Sequence, residues 1–217
     1  LAKREVAGLV GIPSAFTGPS EVVVVADHTV PSAFAAIDVV VQAEHGPDGL
    51  AWLVTWDEEV ADAVEADVVR IAEASARRDD VADTLASAGW TVLVDGPEEA
   101  LAVADAIAPE HLQLMVDGAE DFADRVRHAG AVFCGPWTPA VLGDYVAGPS
   151  HVLPTAGTAR FSGALTVADF TKEVHIVSAD RSALERLAPH VSALAGAEGL
   201  DAHAASVRIR TQGGNGG

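Results

Sequence analysis

The sequence predicts an α/β fold, a Rossmann-like parallel sheet with helices on both faces followed by a small C-terminal α+β extension. Two observations support this prediction. From Glu21 onward, short runs rich in β-branched residues alternate with longer amphipathic stretches, which is the pattern of parallel strands joined by crossover helices. Several helical stretches also begin with proline or acidic residues and end with glycine, as helix caps require.

Five runs are predicted to form the strands of this sheet. They are Glu21–Ala26, Ala51–Thr55, Trp90–Val94, Leu112–Val116 and Ala131–Cys134. The helices predicted between them are at about Pro31–His45, Glu58–Ala88 with a break near Arg78–Asp79, Pro97–Ala106 and Ala119–His128.

The chain is predicted to divide near Thr166. The stretch Gly135–Gly163 is rich in glycine and proline and lacks periodicity, and loops of this length are usually functional. We therefore assign 1–165 to the Rossmann-like domain, 166–210 to the C-terminal extension and 211–217 to a flexible tail. The elements predicted in the extension are a strand at Val174–Ser178, helices at Arg181–Leu194 and Ala197–Ala204, and a last strand at Ser206–Arg210.

Composition excludes several classes of partner. The 217 residues carry 13 Lys+Arg against 32 Asp+Glu, and the formal net charge of −19 disfavours nucleic-acid binding. The single cysteine, Cys134, excludes an intramolecular disulfide and a thiolate zinc cluster, and it favours a cytoplasmic location. The longest aliphatic run, Val22–Ala26, is far too short to cross a membrane, so we expect neither a membrane span nor an export leader.

Two histidines stand beside an amide or a carboxylate near predicted element ends. Gln42 and His45 are three residues apart at the end of a predicted helix, so they share a face and can provide two ligands of a metal site. The alternative is a surface helix end whose histidine interacts with the helix dipole. Glu110-His111 precedes a strand at the sheet edge, where open α/β proteins keep their ligands, and such a pair suits acid and base catalysis. The alternative there is an ordinary loop.

Two further pairs have both a functional and a structural interpretation. Asp144 and His151 lie in a glycine-rich loop whose length favours function over simple turn chemistry. Glu198 and His203 lie on or beside the short C-terminal helix, and on their own they are typical solvated surface residues.

The candidate ligands in these four pairs offer nitrogen and oxygen donors and no thiolate. Zinc is therefore the expected metal. The sequence contains no G-x-G-x-x-G, Walker A or H-E-x-x-H motif.

Five motifs together resemble histidinol dehydrogenases, in order and spacing from Leu1 to about Arg210. They are Gly18-Pro19-Ser20-Glu21, Gln42-Ala43-Glu44-His45, Ala108-Pro109-Glu110-His111-Leu112, Gly143-Asp144-Tyr145-Val146-Ala147-Gly148-Pro149 with His151-Val152-Leu153-Pro154-Thr155, and Gly157-Thr158-Ala159-Arg160-Phe161. The resemblance implies a zinc-dependent homodimer that oxidises L-histidinol through L-histidinal to L-histidine with NAD⁺, the last steps of histidine biosynthesis.

The resemblance also implies roles for individual residues. It gives one zinc ion per chain, with the ligands Gln42, His45, Asp144 and His203. The substrate is held by these ligands together with Ser20, His111 and Glu198. In the catalytic pair, His111 takes the alcohol proton and Glu110 activates the water that attacks the aldehyde. The residues that match Glu198 and His203 complete the site of the partner subunit in that family.

The N-terminal half of that family, which carries its NAD contacts, has no counterpart in this sequence. The chain begins at Leu1 with a pattern typical of the last turns of a helix, so we expect a fragment that does not turn over histidinol alone. Thr17, Ser150 and Ala156 depart from the family pattern by small substitutions. Two alternatives stay open: a non-catalytic zinc-binding or ligand-binding relic of the enzyme, and a zinc hydrolase that uses Glu110 as its base.

Overall fold

The centre of the fold is a five-stranded parallel sheet. The computed structural model describes residues 2–12, 18–46 and 48–212. In chain order the strands are β1 (Glu21–Ala26), β2 (Leu50–Thr55), β3 (Gly89–Leu93), β4 (His111–Met115) and β5 (Ala131–Cys134). They lie in the order β3-β2-β1-β4-β5 and every neighbouring pair is parallel, so the predicted α/β fold class is confirmed.

Helices connect the strands and cover both faces of the sheet. In chain order they are α1 (Ala2–Glu5), α2 (Ser32–Ala43), α3 (Glu58–Ala74), α4 (Arg78–Ala88), α5 (Pro97–Ile107), α6 (Ala119–Ala123) and α7 (Val141–Tyr145), followed by short 3₁₀ helices at Thr158–Arg160 and Val167–Phe170. The side chain of Asp57 begins α3 by accepting hydrogen bonds from the amides of Glu59 and Val60. Pro97 occupies the first turn of α5, where its missing N–H costs no hydrogen bond.

One predicted helix is shorter than expected. Its sequence pattern covers Ala119–His128, but α6 ends at Ala123. The amides of Arg127 and His128 donate instead to the carboxylate of Asp105, at 2.9 and 3.0 Å. The carboxylate of Asp105 therefore replaces the backbone carbonyls that would have accepted these hydrogen bonds in a longer α6. The local sequence pattern does not indicate this distant acceptor.

Burial on both faces explains the composition of the central strands. Val22 and Val24 pack on the side of α2 and α3, whereas Val23 and Val25 pack on the side of α5. All five residues of β4 are buried. A parallel strand that is covered on both faces needs a continuous apolar run rather than an alternating one, which is why the sequence EVVVVA forms the central strand β1.

The chain forms two compact units, Leu1–Thr171 and Lys172–Gly217. The predicted boundary near Thr166 lies inside the first, which we call the N-terminal unit. The second, the C-terminal unit, contains the helices α8 (Arg181–Ala197) and α9 (Asp201–Gln212). In the described ranges of the chain, no helix combines the length and the apolar character needed to cross a membrane.

Both strands predicted in the C-terminal unit are wrong. Val174–Ser178 forms no strand among the described residues, and Ser206–Arg210 lies within α9. Val207 and Ile209 alternate with polar residues, and this short alternation on an exposed helix imitates the two-residue period of a strand. The predicted tail begins inside α9, and its remaining residues, Gly213–Gly217, lie outside the described part of the chain.

Candidate active site

Polar side chains from several segments line a small cavity at the edge of the sheet where the strands begin. We call this the amino edge. The cavity measures about 20 Å³, which is room for about one water molecule or ion. Its polar lining residues define the amino-edge cavity, and they are Ser20, Asp38, Gln42, His45, His111 and Asp144.

The last turn of α2 brings Gln42 to this edge, and the turn that follows the helix brings His45 there. Because β1 and β2 are parallel, the helix between them runs back along the sheet and ends where both strands begin. Gln42 is 5% exposed, whereas His45 follows the helix end and is exposed. The loop that follows passes close to the amide, since a Cβ at Gly49 would lie 3.2 Å from Gln42 Nε2.

Two glutamates tie the start of β1 to the segment before β4. The amide of Glu21 donates to Glu110 Oε2 at 3.1 Å, and the amide of Glu110 donates to Glu21 Oε2 at 3.2 Å. The other carboxylate oxygen of Glu21 accepts from the amide of Ala156 at 2.8 Å. Glu21 thereby fixes three segments of the chain around the buried Glu110 and His111.

Hydrogen bonding assigns one tautomer to His111. Its Nδ1 lies 3.0 Å from the backbone carbonyl oxygen of Glu21. Because a carbonyl can only accept, Nδ1 carries the hydrogen and the lone pair of the neutral ring lies on Nε2. Nε2 lies 4.0 Å from Asp144 Oδ1, while Glu110 Oε2 lies 3.5 Å from Nδ1. The basic nitrogen therefore faces another residue of the cavity.

The packing of α7 on Phe133 brings Asp144 to the cavity. A Cβ at position 143 would lie 2.7 Å from the Phe133 ring, so glycine at this position allows α7 to approach the ring closely. Phe133 also contacts His111, with 5.8 Å between the ring centroids. Gly143 and Phe133 together set the position of Asp144. His151, which we grouped with Asp144 in the sequence, is exposed and is not a lining residue of the cavity.

Burial raises the pKa of three carboxyl groups at the amino edge. The pKa of Asp38 rises to about 6. Burial also raises the pKa of Glu21, although two backbone N–H groups donate to its carboxylate. The pKa of Glu110 is raised by burial as well, and the nearby His111 opposes part of that effect. Carboxyl groups with a raised pKa exchange protons closer to neutral pH, as acid and base catalysis requires.

The structure brings most of the predicted site residues together. Those that line the amino-edge cavity are Ser20, Gln42, His45, His111 and Asp144. Glu110 lies directly beside it, in contact with His111. Glu198 is the residue that ends α8, and His203 lies in the first turn of α9, so both belong to the C-terminal unit, where they are exposed.

Comparison with known proteins identifies the family. A family model described as histidinol dehydrogenase matches residues 1–211. A histidinol dehydrogenase of Parasynechococcus marenigrum is 44% identical over 210 residues, which cover 97% of this chain and 48% of the relative. This chain belongs to the histidinol dehydrogenase family. The resemblance predicted from the five motifs is therefore confirmed.

Other histidinol dehydrogenases give the same result for sequence and fold. The protein of Rhodopirellula baltica is 45% identical over 212 residues, covering 98% of this chain and 46% of the relative. The crystal structure of histidinol dehydrogenase from Elizabethkingia anophelis superposes with a TM-score of 0.87 at 31% identity, covering 99% of this chain and 49% of that one. The chain spans about half the length of the curated relatives it matches.

The donors at the amino edge fit a divalent metal ion. Across the residues that the structure describes, no three His, Cys, Asp or Glu side chains are grouped to hold a metal. The predicted ligands from the N-terminal unit are two such residues, His45 and Asp144, and the amide of Gln42. A metal ion would bind the oxygen of that amide, because the nitrogen offers no lone pair, and the buried Nε2 is left without a hydrogen-bond partner. The negative end of the α2 dipole also favours a cation here.

Sequence reasoning missed two residues of this edge. Glu21 stood in the first of the quoted motifs, but nothing in the motif indicates that its carboxylate holds two distant amides. Asp38 was not singled out, although it is the only charged residue between Ser32 and Ala43. A single carboxylate in an otherwise apolar helix is a usable signal, because such a group is rarely buried without a reason.

Proposed function

We propose that this chain provides the metal site and the acid and base groups of a histidinol dehydrogenase, which oxidises L-histidinol through L-histidinal to L-histidine with NAD⁺ as hydride acceptor. One observation carries the proposal. In a chain of this family, the buried pair Glu110 and His111 lies against a cavity lined by three candidate metal ligands. A cytoplasmic location forms part of the proposal, since a single cysteine fits a reducing compartment.

His111 is the base that removes the proton of the alcohol. Its Nδ1 is held by the carbonyl of Glu21, so Nε2 is the nitrogen that can accept a proton. The carboxylates of Glu110 and Asp144, on either side of the ring, stabilise the imidazolium that results. NAD⁺, when bound, would supply the acceptor for the hydride of the same carbon, so that the alcohol becomes the aldehyde.

Glu110 is the base for the second oxidation. The aldehyde must first add water: the carboxylate takes a proton from the water, and the oxygen of that water bonds to the carbonyl carbon. The carbon–oxygen π bond opens onto the carbonyl oxygen, which takes up a proton from solvent to give the hydrate. Because burial raises the pKa of Glu110, its carboxylate is a stronger base than an exposed glutamate. Loss of a hydride from its carbon, for which a second NAD⁺ would supply the acceptor, and of a proton from one hydroxyl converts the hydrate to the carboxylic acid.

The donor set suits one zinc ion per chain. Its ligands in this proposal are Gln42, His45, Asp144 and His203. Zinc, when bound, supplies a positive charge that orients the imidazole and amine nitrogens of the substrate. The side chains of Ser20 and Glu198 hold the substrate in addition to the zinc ion. The net charge of −19 favours a substrate that carries an amine.

The proposal includes a homodimer with shared sites. By the resemblance to histidinol dehydrogenases, each site is completed by residues of the second subunit, and in this chain those residues are Glu198 and His203. Both are exposed in the C-terminal unit and therefore available to a partner. The partners proposed are thus a second copy of the chain and L-histidinol, with no nucleic acid and no membrane.

NAD⁺ binding is assigned to sequence outside this chain. The chain has no glycine-rich fingerprint that would hold a pyrophosphate at a helix N-terminus, and it covers 48% of a relative that is 44% identical. We therefore expect no turnover of histidinol by these 217 residues alone. Hydride transfer needs the nicotinamide in near contact with the alcohol carbon.

The test is a complementation assay that follows NADH by its absorbance. Zinc-loaded chain, L-histidinol and NAD⁺ are mixed with and without the N-terminal half of the Parasynechococcus marenigrum relative, after size-exclusion chromatography has verified assembly. Turnover only with the added half supports the proposal, and robust turnover without it contradicts the assignment of NAD⁺ binding. Zinc binding without turnover in the assembled complex would indicate the alternative of a non-catalytic relic of the enzyme. Ester hydrolysis without NAD⁺ that depends on Glu110 would indicate the hydrolase.

A further inference from the structure

Two buried polar atoms without hydrogen-bond partners lie at the amino-edge cavity. They are Asp38 Oδ2 and Gln42 Nε2. Both side chains are buried, at 6% and 5% exposure, and both line the cavity. One atom is an acceptor and the other is a donor. A buried polar group without a partner is costly, so the presence of two complementary groups in one small cavity calls for a physical reason.

Helix geometry makes these two residues natural partners. Asp38 and Gln42 are four residues apart in α2, and side chains at this spacing lie on one face about 5–6 Å apart at their Cβ atoms. Long helical side chains also lean toward the N-terminus and lie over the preceding turn. The side chain of Gln42 therefore reaches toward Asp38 by a rotation about its own bonds, without movement of the backbone.

The backbone carbonyls around Gly49, on the other side of the amide, already accept hydrogen bonds. The carbonyl of Ser20 accepts from the amide of Leu50, and the carbonyl of Gly46 accepts from the amide of Gly49, each at 3.2 Å. The other described polar residues of the cavity include His45 and Asp144, which are themselves candidate ligands. Asp38 is the carboxylate on the same helix face that is free to receive the amide hydrogen.

We propose that Asp38 is a positioning residue that accepts a hydrogen bond from Gln42 Nε2 and thereby turns Gln42 Oε1 toward the cavity. An amide binds a metal ion through its oxygen, because the nitrogen carries two hydrogens and offers no lone pair to a cation. Fixing the orientation of the amide therefore fixes the donor atom. This inference rests on the proposed function, since it needs a cation in the cavity.

Zinc affinity measures the effect directly. The Kd of the full chain for zinc is determined by competition with a chromophoric chelator, for the wild type and for the variants Asp38→Leu and Asp38→Asn. Loss of the acceptor in Asp38→Leu is expected to weaken zinc binding by about 10–100-fold, the usual effect of removing a group that orients a ligand. Asp38→Asn keeps an acceptor oxygen and is expected to stay within a few-fold of the wild type.

A matched control separates orientation of the amide from simple loss of negative charge. Asp67 lies on α3 and bonds to Ser32 and Arg70, outside the cavity. The variant Asp67→Leu removes the same charge as Asp38→Leu, so it is expected to leave zinc affinity unchanged. An equal loss of affinity in both leucine variants would overturn the role of Asp38.

A spectroscopic readout reports on the proposed hydrogen bond itself. The chain has only three glutamines, Gln42, Gln113 and Gln212, so the side-chain amide signals of Gln42 are identified in a ¹⁵N–¹H spectrum by their loss in Gln42→Glu. Zinc should shift one of these hydrogens downfield in the wild type and in Asp38→Asn. The absence of this shift in Asp38→Leu supports the proposal, and the same shift in all three proteins overturns it.

The failure of this inference can be told apart from the failure of the proposed function. If the wild type binds zinc no better than a double variant with Gln42→Leu and His45→Ala, the metal site itself is wrong and the inference falls with it. If the wild type binds more tightly than the double variant, but Asp38→Leu binds as tightly as the wild type, only the role of Asp38 is overturned. Denaturant unfolding without zinc verifies that Asp38→Leu is folded.

Discussion

The two edges of the parallel sheet differ in how their polar groups are satisfied. At the carboxyl edge, where the strands end, Asp27 accepts hydrogen bonds from the amides of Thr29 and Asp117 and from the Thr29 hydroxyl. Asp57, just after β2, caps α3. These carboxylates hold turns and a helix start in place, so their hydrogen-bonding capacity is used by the fold.

At the amino edge the polar groups are instead left partly unsatisfied. Asp38 Oδ2 and Gln42 Nε2 have no partner, and burial raises the pKa of Asp38, Glu21 and Glu110. The general rule for open α/β sheets places ligands at the carboxyl ends of the strands. That rule predicts a ligand site at Glu110-His111, but the structure places this pair at the opposite edge, where β4 begins. Two buried polar atoms without partners thus coincide with the cavity, whereas a third among the described residues, Gln113 Oε1 in β4, is not part of its lining.

The largest expected difference between the edges is in catalysis. His111 at the amino edge and His28 at the carboxyl edge are both histidines beside strand ends. In an enzyme assembled with the N-terminal half of the Parasynechococcus marenigrum relative, His111→Asn should lower kcat for histidinol by about 100- to 10,000-fold, the usual effect of losing a general base. His28→Asn should leave kcat within about two-fold, because His28 is exposed and does not line the cavity.

Steady-state kinetics of both variants beside the wild type checks this prediction. A comparable loss of kcat in both variants would contradict the assignment of the chemistry to the amino edge.

The next difference lies within the catalytic pair. In the same assembled enzyme, Glu110→Gln should slow oxidation of L-histidinal by about 100-fold while slowing oxidation of L-histidinol much less. The reason is that only the aldehyde needs an activated water. Rates measured separately with alcohol and aldehyde as starting substrates test this, and equal losses for both would show that Glu110 has no separate step.

Stability should respond in opposite ways at the two edges. Asp27→Ala removes three hydrogen bonds and is expected to lower the free energy of unfolding by about 2–3 kcal/mol. Asp38→Leu, without zinc, should leave stability unchanged or raise it, because a buried carboxylate without a partner is replaced by an apolar side chain. Urea unfolding of the metal-free chain measures both. A loss in Asp38→Leu as large as in Asp27→Ala would mean that Asp38 supports the fold.

The smallest predicted effect is a pH dependence. Because the pKa of Asp38 is raised from 3.8 to about 6 in the folded chain, the folded state binds the proton more tightly than the unfolded state does. The contribution of Asp38 to stability therefore rises as pH falls through about 6 and is lost as pH rises again, on the order of 2 kcal/mol in total. The difference in unfolding free energy between the wild type and Asp38→Asn should change by this amount between pH 8 and pH 4. A difference independent of pH would contradict the burial of an ionisable Asp38.

The sheet could be predicted from the sequence because its strands are continuous apolar runs. β1 and β5 have the predicted bounds, and β2, β3 and β4 differ only at their ends. The wrong predictions are those in which a tertiary contact ends a helix or a short residue pattern does not distinguish a helix from a strand. Asp105 ends α6 from a distance, and the alternation of Val207 and Ile209 in an exposed helix resembles a strand.

Only those residues of the candidate site that stand in sequence motifs could be predicted. The motifs identified Gln42, His45 and His111, because these residues stand in recognisable local patterns. They could not reveal the two carboxylates, Glu21 and Asp38, whose importance depends on which amides lie near them after folding. Hydrogen bonds between residues about 90 positions apart leave no trace in local spacing.

We claim that the amino edge holds a metal ion, and a measurement of zinc content checks this. The purified chain is loaded with zinc and desalted, and metal per chain is measured by atomic spectroscopy for the wild type, His45→Ala and His28→Ala. We predict about one zinc per chain in the wild type and in His28→Ala, with a large loss in His45→Ala. Full zinc occupancy in His45→Ala would contradict the claim.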